Sequence, residues 1–165
     1  FIKQYEQAGL RGKIPLYSVF TVDSIALPKL QKAKMAGVMG SVMTQFWAPD
    51  LDTPQNKKFV SGFKKAYGRY PSFYAAQAYD SIYLIKSAVE AVGGDLTNMD
   101  GMRAAMAAAT FPSVRGEFVY GNNHFPIQDF YSREVVADAD GVWTTAVRKV
   151  ILKEHQDPYA KDCKM

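Results

Sequence analysis

The side chains best placed to do chemistry in this sequence are aromatic, and the chemistry they suit is binding. "YSVFTVDS" puts Tyr17 and Phe20 at the end of an apolar run, with Thr21, Val22 and Asp23 just beyond it. "PSFY" puts Ser72 and Tyr74 at the opening of the longest periodic stretch, residues 71 to 94. Tyrosine offers an apolar ring with a polar tip. A helix start offers unpaired N–H groups and a positive dipole end, which suit a carboxylate. Each ring is also of a kind that packs a core, so both roles stay open at this point. Tyr79 and Tyr83 lie deeper in the same stretch and read as packing residues.

Motifs for bond-making are missing. The sequence has no GxSxG, no GxxxxGK[ST], no HExxH and no CxxC. "GVMGSV" lies within an expected strand, not at a strand-to-helix turn, and is not a phosphate loop. Asp50 and Asp52 sit two apart in a loop and read as solvated. His124 stands in an "NNH" turn. Cys163 is the single cysteine, so no intrachain disulfide forms. Nothing brings together a nucleophile, a base and an orienting group, so no catalytic role and no metal or cofactor is expected.

The elements that position these residues follow from periodicity. The 165 residues are 48% hydrophobic and 22% charged, as in a globular domain. The net charge of +4 is spread through "QNKKFVSGFKKAYGR" and the tail, and no aromatic-basic motif points to nucleic acid. "FIKQYEQAG" reads as a helix that begins without a cap, which suggests a chain cut from something longer. "KIPLYSVF" (13–20) reads as a buried strand and "TVDSIALPKLQKAK" as a capped helix. "GVMGSVMTQFW" (37–47) reads as a second buried strand. Thr53, Pro54 and Gly68 bracket a helix with Phe59, Phe63 and Tyr67 at spacing four. Residues 71–93 form the next helix, with Ile82, Ile85, Val89 and Val92, beside Ala78 and Ala88, as its core-facing stripe. A further helix starts at Asn98 or Asp100. From 113 onward the pattern alternates, and "ADADG" marks a hairpin. The order is α-β-α-β-α-α-α-β-β-β. Strand-helix alternation implies an α/β class with a parallel sheet. Three successive helices do not fit one such sheet.

Three segments together, "FIKQYEQAGLRGKIPLYSVFTVDSIAL", "PSFYAAQAYDSIYLIKSAVEAVGG" and "TFPSVRGEFVYGNNHFPIQDFYSREVV", resemble the leucine/isoleucine/valine-binding class of ABC-transporter solute-binding proteins. The resemblance implies a type I periplasmic-binding-protein fold, two Rossmann-like lobes joined by three crossovers, of which only the C-terminal portion is present. Residues 1–46 and 128–165 would be second-lobe segments and 47–127 a first-lobe segment. It implies a periplasmic, extracytoplasmic protein that hands a small organic acid or amino acid to ABC permease membrane subunits. By the same resemblance, Phe20, Thr21, Val22 and Asp23 would contact the ligand from one lobe, and Ser72 and Tyr74 from the other, with Tyr17 beneath. Amino-acid binders of the class carry an acid in the loop after the first strand. Here Phe20 and Thr21 hold the matching positions and Asp23 comes later, which favours an aromatic or branched apolar carboxylate. Two other readings are a small flavodoxin-like α/β enzyme, which needs a better phosphate loop than "TVDSIALPK", and the ligand-sensing lobe of a receptor. A portion of this fold would associate with the remainder of the protein or with itself.

Overall fold

The expected order of elements is the observed one in the computed structural model, which describes residues 1–20 and 22–164. Helix α1 (Ile2–Gln7) turns Ile2 and Tyr5 inward and leaves Phe1 exposed. It docks on a 3-10 turn, Ala36–Val38, where the Glu6 carboxylate accepts the Gly37 N–H at 2.9 Å. A Cβ at Gly37 would stand 2.8 Å from Glu6 Cβ, so only glycine allows this approach. Helix α2 (Leu27–Lys32) starts later than expected and has Ala26 before it with no side-chain cap, though Pro28 lies in its first turn, as the missing N–H of proline allows.

Both early strands are shorter than expected: of residues 37–47 only Val42–Gln45 is strand, after the 3-10 turn at Ala36–Val38, and the first is shorter still. β1 is only Tyr17–Ser18, paired in parallel with β2 (Val42–Gln45). Ile14, Tyr17, Val19 and Phe20 are exposed, not buried. β1 has one neighbour among the described strands and Pro15 cannot donate to a ladder, so the apolar run outlasts the pairing.

Helix α3 (Pro54–Tyr67) is bounded as the sequence predicts: Thr53 accepts the Asn56 N–H and Gly68 turns left-handed at φ 64°. Helix α4 (Phe73–Ala91) is capped by Ser72, and α5 (Met99–Ala108) by Asn98. The α4 stripe is a correction. Ile82 and Ile85 are 65% and 50% exposed, while Phe73, Ala76, Asp80 and Ala88 are the buried positions. Periodicity identifies an apolar face but says nothing about what covers it.

Three strands close the chain: β3 (Val119–Tyr120), β4 (Pro126–Ala137) and β5 (Trp143–His155). The hairpin is where "ADADG" predicts it. β4 pairs antiparallel with β3 at Pro126–Ile127, with β2 at Tyr131–Glu134 and with β5 over Gln128–Ala137. Apolar burial divides into two clusters. One holds Ile2, Val22, Leu27, Val38, Met43 and Val135 around the sheet. The other holds Trp47, Phe59, Val60, Phe73, Ala76 and Val114 among the helices. Helices α3 and α4 thus have a core of their own, to which α5, with no buried residue, adds nothing. Among the described residues no helix is long and apolar enough to cross a membrane.

Candidate functional site

Of the aromatic residues singled out from the two motifs, Phe20 and Tyr74 are linked through Phe73, which was not among them. Phe20, past the end of β1, lies against Phe73 with ring centroids 5.3 Å apart, and Phe73 lies 3.9 Å from the Tyr74 ring. Phe46, just after β2, meets Phe73 edge-on at 6.2 Å. Phe73 is the buried centre of this group, at 4% exposure. Phe20 and Tyr74 keep 60% and 56% of their surface open. Two large open rings on either side of a buried one form an apolar wall with a phenolic tip. Residues from the β1 end and from the α4 start therefore share one surface.

The other expected site residues fall differently. Tyr17 is 70% exposed on the sheet face opposite that of its neighbour Ser18. Thr21 lies outside the described residues. Val22 is wholly buried in the sheet core, so only its backbone is left for a ligand. The Ser72 hydroxyl is buried and accepts the Ala75 N–H at 3.3 Å, so it is committed to capping α4.

Asp23 turns inward. Its carboxylate accepts the N–H groups of Ile25 at 2.9 Å and Ala26 at 3.2 Å, which organises the turn into α2. It also attracts Arg133 of β4. That guanidinium is 2% exposed, and burial pushes its pKa down to about 10 against the opposing pull of Asp23 and Asp50. Arg133 Nη1 makes one long bond, 3.4 Å, to Thr145 Oγ1. Both amides bind one oxygen, Oδ1, and the carboxylate already offsets the buried charge of Arg133, so an ammonium there would share its countercharge with a cation in place.

Sequence reasoning missed the network that carries the helical core. Asp80 in α4 accepts from Ser113 Oγ at 2.6 Å, Val114 N at 2.9 Å and Arg115 Nε at 3.0 Å. Arg115 reaches on to Gln128 Oε1 at 2.9 Å and lies over Phe118 and Phe46. It thereby touches both stretches where the chain passes between the helices and the sheet, after β2 and at the head of β4. The legible signal was the aspartate in "AAQAYD", a charge one turn after Ala76 on the buried face of an apolar helix. Asn56 was also missed. It accepts Trp47 Nε1–H at 2.8 Å and donates to the carbonyls of Ala48, Pro49 and Leu51, so it fixes the loop that follows β2.

Tyr79 packs on Phe59 at 4.8 Å and shares a 3.2 Å hydroxyl contact with Tyr83. That contact and burial push the Tyr79 hydroxyl up to about 12. Asp50 accepts the Val147 N–H and Asp52 pairs with Lys57, so neither stands free. Among the described residues no three His, Cys, Asp or Glu side chains gather as metal ligands.

A parallel strand pair joined to a helical unit, with open aromatic rings where the two meet, is an α/β arrangement. A family model described as periplasmic binding protein matches residues 1–141, and this chain belongs to that family. The family is not enzymatic. The chain is 30% identical over 150 residues to the Leu/Ile/Val-binding protein homolog 6 of Brucella abortus, covering 87% of this chain and 37% of that one. An ABC-transporter solute-binding protein of R. palustris, solved in complex with benzoate, superposes with a TM-score of 0.82. It is 34% identical, and the match covers 100% of this chain and 42% of that one. A solute-binding protein of Rhodopseudomonas palustris BisB5, solved with 3,4-dihydroxybenzoic acid, gives 0.79 at 27% identity, over 96% and 42% of the two chains. This chain thus spans about two fifths of the length of the proteins it matches.

Proposed function

We propose that this chain is the carboxyl-terminal part of an extracytoplasmic solute-binding protein that delivers a small aromatic carboxylate to an ABC permease. Residues 1–46 and 128–165 belong to one lobe in this reading and 47–127 to the other. The division of apolar burial into two clusters supports that assignment. The observation that carries the ligand class is the wall of Phe20, Phe73 and Tyr74, with two rings open and the α4 start beside them. An aromatic body stacks on such a wall, and its carboxylate meets amides and hydroxyls. Bound benzoate in the R. palustris relative agrees with this.

A free amino acid fits less well, because the ammonium needs a carboxylate of its own and Asp23 already offsets the buried charge of Arg133. Calorimetric titration of the full-length protein with benzoate, 4-hydroxybenzoate, phenylalanine and leucine tests the reading. Benzoates are expected to bind and the amino acids to fail. Tight binding of leucine that Asp23→Asn abolishes would overturn it. Phe20→Ala and Tyr74→Ala should each weaken benzoate binding about tenfold, or ~1.4 kcal/mol, with the melting temperature of the unliganded protein little changed.

A further inference from the structure

The "DADG" turn does more than reverse the chain. One oxygen of the Asp138 carboxylate accepts the N–H groups of Asp140 at 3.0 Å and Val142 at 2.8 Å, which fixes the turn itself. Gln31 of α2 fixes it from behind, giving its amide to Gly141 O at 2.8 Å and taking Trp143 N–H at 2.9 Å. The second Asp138 oxygen faces the helical unit. It accepts the Tyr70 hydroxyl at 2.7 Å, and Lys64 Nζ stands 3.8 Å away, 4.2 Å above the Tyr70 ring. The Tyr70 bond, with the turn amides and Lys64, holds the Asp138 carboxyl below its ordinary value.

This contact joins units that are not packed together behind it. Between α3 and the β4–β5 hairpin lies an open cleft of about 480 Å³ whose lining includes Val60, Val136, Thr144 and Ala146. Polar contacts bracket this cleft: Tyr70 and Lys64 on Asp138 at one end, and Asp50 on Val147 N–H at the other. Tyr70 also stands four residues before Tyr74, on the strap that leads into α4.

We propose that Tyr70, Lys64 and Asp138 form a clasp between the hairpin turn and the strap before α4, and that the clasp sets how long a ligand stays between Phe20 and Tyr74. This rests on the reading of that surface as one side of a two-walled ligand cleft. The three residues are positioning residues; none of them needs to touch the ligand.

The test uses the full-length protein with Cys163→Ser, carrying spin labels at Lys58→Cys on α3 and Lys149→Cys on β5. Tyr70→Phe keeps the ring and removes only the hydroxyl, and Lys64→Met serves as a second variant. Stopped-flow release of benzoate is expected to quicken about fivefold in Tyr70→Phe, the scale of one hydrogen bond, with association within about twofold of the parent. The distance between the labels in the unliganded protein should lengthen or broaden in the same variant. Unchanged distances in both variants, or faster release without a change in distance, overturn the clasp. If the parent protein binds no benzoate and the distances still shift, the clasp stands and the ligand assignment fails.

Discussion

Asp80 and Arg115 show how much a single pair can hold. Both side chains are almost wholly buried, at 3% and 8% exposure, and the carboxylate has three donors. Breaking such a pair from one side leaves the other charge without compensation, which costs about 3–5 kcal/mol. Asp80→Ala should lower the unfolding free energy by that amount in denaturant titration, and Arg115→Met by a comparable amount. Asp23 predicts a smaller loss. Asp23→Asn keeps an oxygen for the Ile25 and Ala26 amides but withdraws one of the two carboxylates that offset buried Arg133, leaving Asp50, so stability should fall by about 1–3 kcal/mol. Benzoate affinity should hold, since the carboxylate faces the protein and not the open rings. At this scale the sequence was half legible. "PSFY" and "YSVF" led to Phe20 and Tyr74, because aromatic residues at element ends stand out. The Asp80–Arg115 pair joins positions 35 apart, and no local pattern declares a partner at that distance.

Among the elements, helix boundaries were the clearest part of the sequence, because capping is local chemistry. Thr53, Ser72 and Asn98 each accept the backbone N–H three residues on, at 3.1, 3.3 and 3.0 Å. Ser72→Ala should cost about 1 kcal/mol by removing that acceptor, read as a shift in the denaturation midpoint. It should also loosen the turn that carries Tyr74, so benzoate affinity should fall alongside stability. Thr53→Ala should show the stability loss alone. Strands were harder to read. The extent of β1 depends on a neighbouring strand, and the burial of Ile82 and Ile85 depends on a cover. Both are properties of the surroundings, which hydrophobic spacing does not encode.

For the whole molecule, open apolar surface governs behaviour. Ile82 and Ile85 on α4, Leu96 and Met99 around the start of α5, and Ile14, Tyr17 and Val19 in and around β1 are all exposed. Patches of this kind drive association in water. These 165 residues expressed alone should therefore self-associate in sedimentation at micromolar concentration, and Ile82→Lys with Ile85→Lys should shift them toward monomer. A monodisperse parent that melts cooperatively would count against this.

The pairing of β2 with β4 also has a consequence in time. Val42 lies beside Glu134, 92 residues later in the chain, and β1 gives β2 only a two-residue partner on its other side. A ribosome completes Thr53 to Ala108, with its three capped helices, well before β4 emerges. The helical unit can therefore gather while β2 still lacks its β4 partner. Chain released before Tyr131 would carry an unsatisfied β2 edge, the kind of surface that recruits other chains. Translational pausing or truncation just ahead of "FYSREVV" should then do more harm than the same interruption after His155. Ribosome-bound chains arrested at successive lengths and probed by proteolysis would show protection of α3 and α4 first, and of β2 only once the hairpin has emerged.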